Sequence, residues 1–560
     1  SSRFASSLCS VAQEVAAVFK GRSKKGGMGL SCSKQACCSA HADELDDLVI
    51  HIEGEEAAAV RAAFGFAQTT ERVVSIGKEL GDADVKVIVG FLKNERQVRE
   101  WLFLDGKLSV LAGRTLAACL ESNSSLTSLT IKNTKLEASV LEAMAGSLKT
   151  NTSLSSLSLL YVGMEEAPAR SIAEMCKTNK HLKSLDLLFE STSINPVGVA
   201  TVLADALKTN QVLTHLHFTC CVNDAGPWVS AIAAGLATNS VLSSLELGYN
   251  IGDAGALALA PSLKLNRALT KASFNIGDDG ACALGEALKD HPVIASLDLG
   301  TMTTHLGWGD SPADDKEPRV GDRGATGLAE LVKTTRTLAS LKLGYQNVAD
   351  DGMRCLADAL HGNASLQELD LHANEFGDVG AQALGPCLKV NTCVTHLDLR
   401  DNNIGDLGAQ AIAEALMVNS TVKKLLLGTG KMVVNGEMGN KNYGNSIGDP
   451  GATALGDALA RNATLTTFSI AGSRMSDTGA QSIARALRSN SVLTELDLLG
   501  NYLMGEAGVQ AFATALKDNK VLYILSGMLC DRECSDHLQE QFRAAWAARE
   551  CCKRDEARLW

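Results

Sequence analysis

A phrase of about 28 residues recurs along the chain from residue 74 to residue 525. Its clean copy runs from Asn239 to Asn266. It places Leu242, Leu245 and Leu247 ahead of Asn250, Ile251, Gly252, Asp253 and Gly255, and an Ala/Leu-rich run follows. The first-leucine position returns at Val98, Leu126, Leu154, Leu182, Leu213, Leu242, Leu269, Ile294, Leu338, Leu366, Val394, Val422, Leu465, Leu493 and Leu522. A partial copy around Val74, Ile76 and Gly81-Asp82 brings the number of repeats to about sixteen. A unit this short cannot bury its own apolar face and has to stack on its neighbours. The period therefore sets the fold, and it overrides the several domains that 560 residues would otherwise suggest.

Each copy divides into two halves. The L-x-x-L-x-L half alternates with strand period. The second half, as in residues 408–416, spaces its apolar residues for a helix. Strand, turn, helix and turn in succession predict an α/β solenoid of parallel strands with helices on the other side. Aspartates at 82, 224, 253, 278, 322, 350, 378, 406, 449 and 477 open the helical halves, and the expectation is that each caps the helix it opens. The small Gly and Ala after them are expected to let the helix lie close to the strand layer. An Asn three residues before the first leucine, as at Asn266, Asn363 and Asn391, is read as a left-handed helix terminator. Asn374, Asn402 and Asn501, just after the strand, are expected to bond the backbone of adjacent turns.

L-x-x-L-x-L-x-x-N followed by I-G-D-x-G-A-x-A-L-A-x-A-L resembles the ribonuclease-inhibitor-like class of leucine-rich repeats. That class includes the repeat domains of NOD-like receptors and of the Ran GTPase-activating protein. The match covers about 450 residues. The resemblance implies a horseshoe with strands on the concave face and helices on the convex face. It does not imply a partner, because the class serves many.

Two repeats are interrupted. A normal copy needs six residues from Leu247 to Asp253, whereas Leu299 to Asp322 takes 23 and Leu427 to Asp449 takes 22. The insertions at 301–319 and 429–446 leave from the same end of a strand, four repeats apart. Long loops on a rigid scaffold often carry recognition, so His305, Trp308 and Asp310 in the first and Lys431, Lys441 and Tyr443 in the second are candidate partner contacts. The expected concave face adds Glu246, Tyr249, Asp298, Lys342, Tyr345, Asp370, Asp398 and Arg400. Its acids would suit a basic partner; a solvated strand face is the plainer reading of the same residues.

The flanks differ. Residues 1–42 carry six bases and one acid, +5 in all, within a chain of net charge −12. They read as a flexible basic segment with the look of an organelle transit sequence. Residues 43–73 and 531–560 are expected to be helical caps around a solenoid at 74–530, with Phe542, Trp546 and Leu559 covering the last repeat. The net acidity disfavours nucleic acid as a partner, and no run is long and apolar enough to span a membrane. Sixteen cysteines without paired spacing suggest a reducing compartment, cytoplasmic in the first instance. Cys32, Cys37, Cys38 and His41, and Cys530, Cys534 and His537, lack the paired spacing of a zinc module. No phosphate-binding loop or HExxH occurs, and no nucleophile–base pair stands out. The reading is a non-catalytic protein-interaction scaffold without cofactor. Regulation of a small GTPase, in the manner of the Ran GTPase-activating protein, is one alternative. Inhibition of a basic enzyme, as by ribonuclease inhibitor, is the other.

Overall fold

The structure is a computed structural model of the 560-residue chain. It describes residues 47–51, 72–76, 99–104, 108–189, 195–220, 225–248, 251–300, 318–429, 444–527, 540, 543–546 and 558–559. They belong to two compact units, Ser1–Cys220 and Cys221–Trp560.

In the first unit, strands Glu100–Leu104, Ser128–Lys132, Ser156–Leu160, Ser184–Phe189 and His215–Cys220 pair in parallel, each with the next. Each of the first four is followed by a helix, from Val110–Ser122 to Pro196–Thr209, and successive helices pack on one another. Pairing reaches back through Arg72–Ile76 to a strand at Asp47–His51. Over residues 47–51 that corrects the helical cap expected at 43–73; residues 52–71 lie outside the described residues. The segment DLVIH has β-branched Val49 and Ile50 and starts 25 residues before the next strand, close enough to the repeat period to pair in register with it.

The second unit repeats the plan from Ser244–Leu247 to Ile524–Ser526. Near its end, residues 543–546 are helical, and Trp546 is 6% exposed. Arg558–Leu559 is a strand paired with Ile524–Ser526, where a helix was expected; its Leu559 stands opposite Leu525 and extends the ladder. Phe542 lies outside the described residues. Stacked leucines form the core: Leu242, Leu269, Ile294, Leu338, Leu366, Val394, Val422, Leu465, Leu493 and Leu522 are buried.

The helix-opening aspartates work across repeats rather than within them. Asp350 is the first residue of its own helix and does not cap it. Its Oδ1 accepts the N–H groups of Gly377 and Gly380, both at 2.8 Å, at the start of the next helix. Asp253, Asp278, Asp322, Asp378, Asp406, Asp449 and Asp477 do the same for their successors. Two orphan donors per helix are thus satisfied by the repeat before, with the anion at the positive end of the dipole. The glycine that follows is needed for close approach to the preceding helix, not to the strand layer. A Cβ on Gly408 would lie 2.8 Å from Ala381 Cβ and 2.9 Å from Asp378 Oδ1.

The asparagines before the first leucine also differ from expectation. Asn391 has extended backbone, φ −67° and ψ 129°. Its side chain bonds in both directions: Oδ1 accepts from Cys393 and Val394 N–H, and Nδ2 donates to the Leu360 and Asn363 carbonyls of the preceding repeat. The asparagines after the strand bond adjacent turns as expected. Asn374 Nδ2 donates to Leu343 O at 2.7 Å, and its Oδ1 accepts from Val348 N–H. The second insertion re-enters this pattern earlier than residue 446, since Asn445 donates to Leu399 O and Leu427 O and accepts from Ile404 N–H.

Candidate functional site on a charged strand face

The 28-residue period brings like positions of successive strands side by side. In the second unit the third strand residues form one row, Asp298, Lys342, Asp370 and Asp398. The first residues form another, Ser296, Ser340, Glu368 and His396. Side chains two apart on a strand share a face, and these are half-exposed, or exposed at His396, while the leucine between them is buried in every strand. Glu246 joins the same row, one strand removed from Asp298 through Ser273.

The centre of this face is internally paired. Lys342 Nζ lies 3.4 Å from Glu368 Oε1, and Ser340 donates to Glu368 Oε2 at 2.7 Å. His372 Nδ1 is 2.6 Å from Asp370 Oδ1. Arg400 forks onto Asp398, with Nε 2.9 and 3.0 Å from the two carboxylate oxygens. Burial pushes the Asp370 carboxyl up, but His372 outweighs it and holds it below its ordinary value. Burial likewise pushes the His372 imidazole down, and Asp370 outweighs it in the other direction, leaving it raised. Asp298 is different. Burial raises its carboxyl, with Asp370 and Glu246 adding to the effect, against the Gly300 N–H and Lys342.

Tyr345 is a wall of the site rather than a free anchor. Its backbone is left-handed, φ 57°, and its ring meets the His372 ring edge-on, 4.8 Å between centroids. A Cβ on the adjacent Gly344 would stand 2.3 Å from His372 Cε1, so only glycine leaves room for the imidazole. The structure thus gathers Lys342, Tyr345, Asp370, Asp398 and Arg400 and adds His372, Glu368 and Gly344. The position of His372, two residues after Asp370, was the available signal. Tyr249, His305, Trp308, Asp310, Lys431, Lys441 and Tyr443 lie outside the described residues.

Among the described residues of the first unit, an acid, an imidazole and a hydroxyl stand in line. Asp186 Oδ1 is 2.7 Å from His217 Nδ1, and Thr219 Oγ1 is 2.7 Å from His217 Nε2. Thr219 is 1% exposed. A nucleophile must reach its substrate, so this hydroxyl fixes the imidazole and carries no chemistry. Among the described residues no helix is long and apolar enough to cross a membrane.

The family described as "Leucine Rich repeat" matches at residues 362–385, 390–413 and 461–484. No curated protein sequence matches the chain. Among solved structures, leiomodin-1 actin-binding site 2 is 22% identical, with 25% of this chain and 75% of that one covered and a TM-score of 0.21. An internalin from Listeria monocytogenes is 15% identical over 64% of this chain and 78% of that one, with a TM-score of 0.35. The family matches fall on the helix–turn–strand copies whose cross-repeat bonds are described above, and the same copies continue through both units: the chain is a leucine-rich repeat protein.

Proposed function

We propose that the chain is a non-catalytic protein-binding scaffold and that the strand face of its second unit takes a partner with a basic surface. The carrying observation is the row of charged side chains held in register on that face, where the fold itself needs only the leucines between them. Among described residues of this face, Glu246, Asp298, Glu368, Asp370, Asp398, Glu495 and Asp497 stand against Lys271, Lys342, Arg400 and Lys424, which leaves a surplus of three negative charges with the histidines counted neutral. Such complementarity steers association and sets register more than it adds affinity. The period and the helix in each full repeat support the ribonuclease-inhibitor-like class. Cys176 and Cys387 are buried free thiols, which supports a reducing compartment such as the cytoplasm.

The test is comparative. Wild type and the double variant Glu246→Lys, Asp298→Lys are immobilised and exposed to the same native lysate. Proteins of basic surface should be retained by wild type, released by salt, and lost from the variant, while thermal unfolding stays unchanged. An identical retained set on both would remove the reading.

A further inference from the structure

Asp370 and His372 stand two apart on one strand and so share a face, and Asp398 is the register partner of Asp370 on the next strand. One donor atom from each of the three lies within 4.8 Å of the others. The imidazole is held in place by the space at Gly344 and by the Tyr345 ring. Fixed ligand orientation of this kind is what a metal shell requires. The three side chains are only 15–21% exposed, so an ion there would be partly shielded from water.

We propose that Asp370, His372 and Asp398 form a binding site for a divalent transition-metal ion, and that Arg400 neutralises Asp398 when no ion is bound. An imidazole nitrogen with two carboxylates suits Mn2+, Co2+ or Zn2+. It is a poor set for the all-oxygen shells of Ca2+ and Mg2+, and it has no thiolate for a soft ion. The ion's two positive charges match the two carboxylates. Without metal, the two carboxylates face the Arg400 guanidinium and the His372 imidazole. With metal, the ion takes their place, any proton on His372 Nδ1 passes to solvent, and Arg400 swings off Asp398. The guanidinium can move, since its side chain is 31% exposed. The remaining coordination positions go to water.

This site is independent of whether the face binds a protein. The full chain, stripped with chelator, is titrated with Mn2+ and the free ion is followed by electron paramagnetic resonance. Mn2+ is the probe because the sixteen cysteines would otherwise compete for a softer metal. Wild type, His372→Gln, Asp398→Asn and Arg400→Gln are compared, and thermal unfolding of each checks that it is folded. His372→Gln and Asp398→Asn should each weaken binding by about tenfold or more. Arg400→Gln should tighten it several-fold, because a competing cation has been removed. Equal Mn2+ binding in wild type and His372→Gln, no binding in wild type, or weaker binding in Arg400→Gln would overturn the proposal and leave two ordinary ion pairs.

Discussion

Replacing His291 with asparagine should stabilise the second unit. Three residues before a first-leucine position, the repeat normally places an Asn that bonds in two directions. Asn266 accepts from Ala268 and Leu269 N–H and donates to Leu236 O at 2.8 Å and Asn239 O at 3.1 Å. His291 holds that position in the next repeat and does half the work. Its Nδ1 accepts from Ile294 N–H at 3.0 Å, while its Nε2 is buried without a hydrogen-bond partner. Burial pushes the imidazole below its ordinary value, against the nearby carbonyls of Asn266 and Leu263. An asparagine could reach those same two carbonyls. Each net hydrogen bond is worth about 0.5–1.5 kcal/mol, and an orphaned buried nitrogen disappears as well. Against that stands the lost packing of the ring, so the expected gain is about 1–2 kcal/mol. The pH dependence has a definite sign. His291 must be neutral in the fold to accept its bond, and its folded pKa lies below the unfolded one. The unfolded chain therefore binds the proton more readily, and stability falls as pH drops below 6.5, the ordinary value. His291→Asn should remove that part of the loss. Urea midpoints of wild type and variant at neutral and mildly acidic pH, with amide exchange at Ile294, measure both effects. A midpoint that drops, or an acid loss of the same size in both proteins, would refute the assignment of the missing bonds.

Other consequences follow from the cross-repeat bonds. Asp350→Ala should cost about 1–2 kcal/mol by the capping scale, and the amides that exchange faster should be Gly377 and Gly380 of the following repeat rather than those of its own helix. Gly408→Ala should cost about 1–3 kcal/mol through overpacking against Ala381 and Ile404; Gly362→Ala, with nothing within 4 Å of the new methyl, should be neutral or gain up to about 1 kcal/mol in thermal unfolding. Burial raises the Asp449 carboxyl, but Ser476 and Gly479 outweigh it and hold it low; its contribution is present above its ordinary value of 3.8 and is lost as pH falls through the folded value. Ser476→Ala should shrink that acid-dependent loss in a denaturation series, and an unchanged acid limb would count against the bond.

Periodicity made the strand–helix order legible, and with it the row Asp298, Lys342, Asp370 and Asp398, because a fixed repeat length fixes which residues stand abreast. The direction of the aspartate caps was not legible. A carboxylate at a helix start has the same local sequence whether it serves its own helix or the next, and only the offset between stacked helices decides. Nor were the substitutes at the asparagine positions. Thr335 accepts from Leu338 N–H, and Gln346 accepts from Val320 N–H. Neither residue matches the motif letter, yet both supply an acceptor at the required place. At the site, His372 and Arg400 were visible as residues, but their pairing with Asp370 and Asp398 depends on side-chain direction. The strand at Asp47–His51 escaped because its flank carries too little of the repeat phrase to align.

The charge surplus of the strand face is not spread evenly, and this bears on how a partner would be chosen. At the centre, Glu368, Asp370 and Asp398 already face Lys342, His372 and Arg400. Toward the ends the acids bond neutral donors instead. Asp298 accepts from the Gly300 N–H, Asp497 from Ser469 Oγ and Glu495 from Thr467 Oγ1. Neutral donors leave the charge uncancelled. From Asp298 to Asp497 the row crosses six strand steps, roughly 29 Å at ~4.8 Å each. A basic partner would therefore meet two negative ends separated by a nearly neutral middle. A single compact positive patch can satisfy one end or displace a central cation, and the second choice means breaking a half-buried pair such as Arg400–Asp398. A partner with two basic groups spaced to the ends avoids that cost. If the proposed basic partner binds this face, spacing more than total charge would decide its fit.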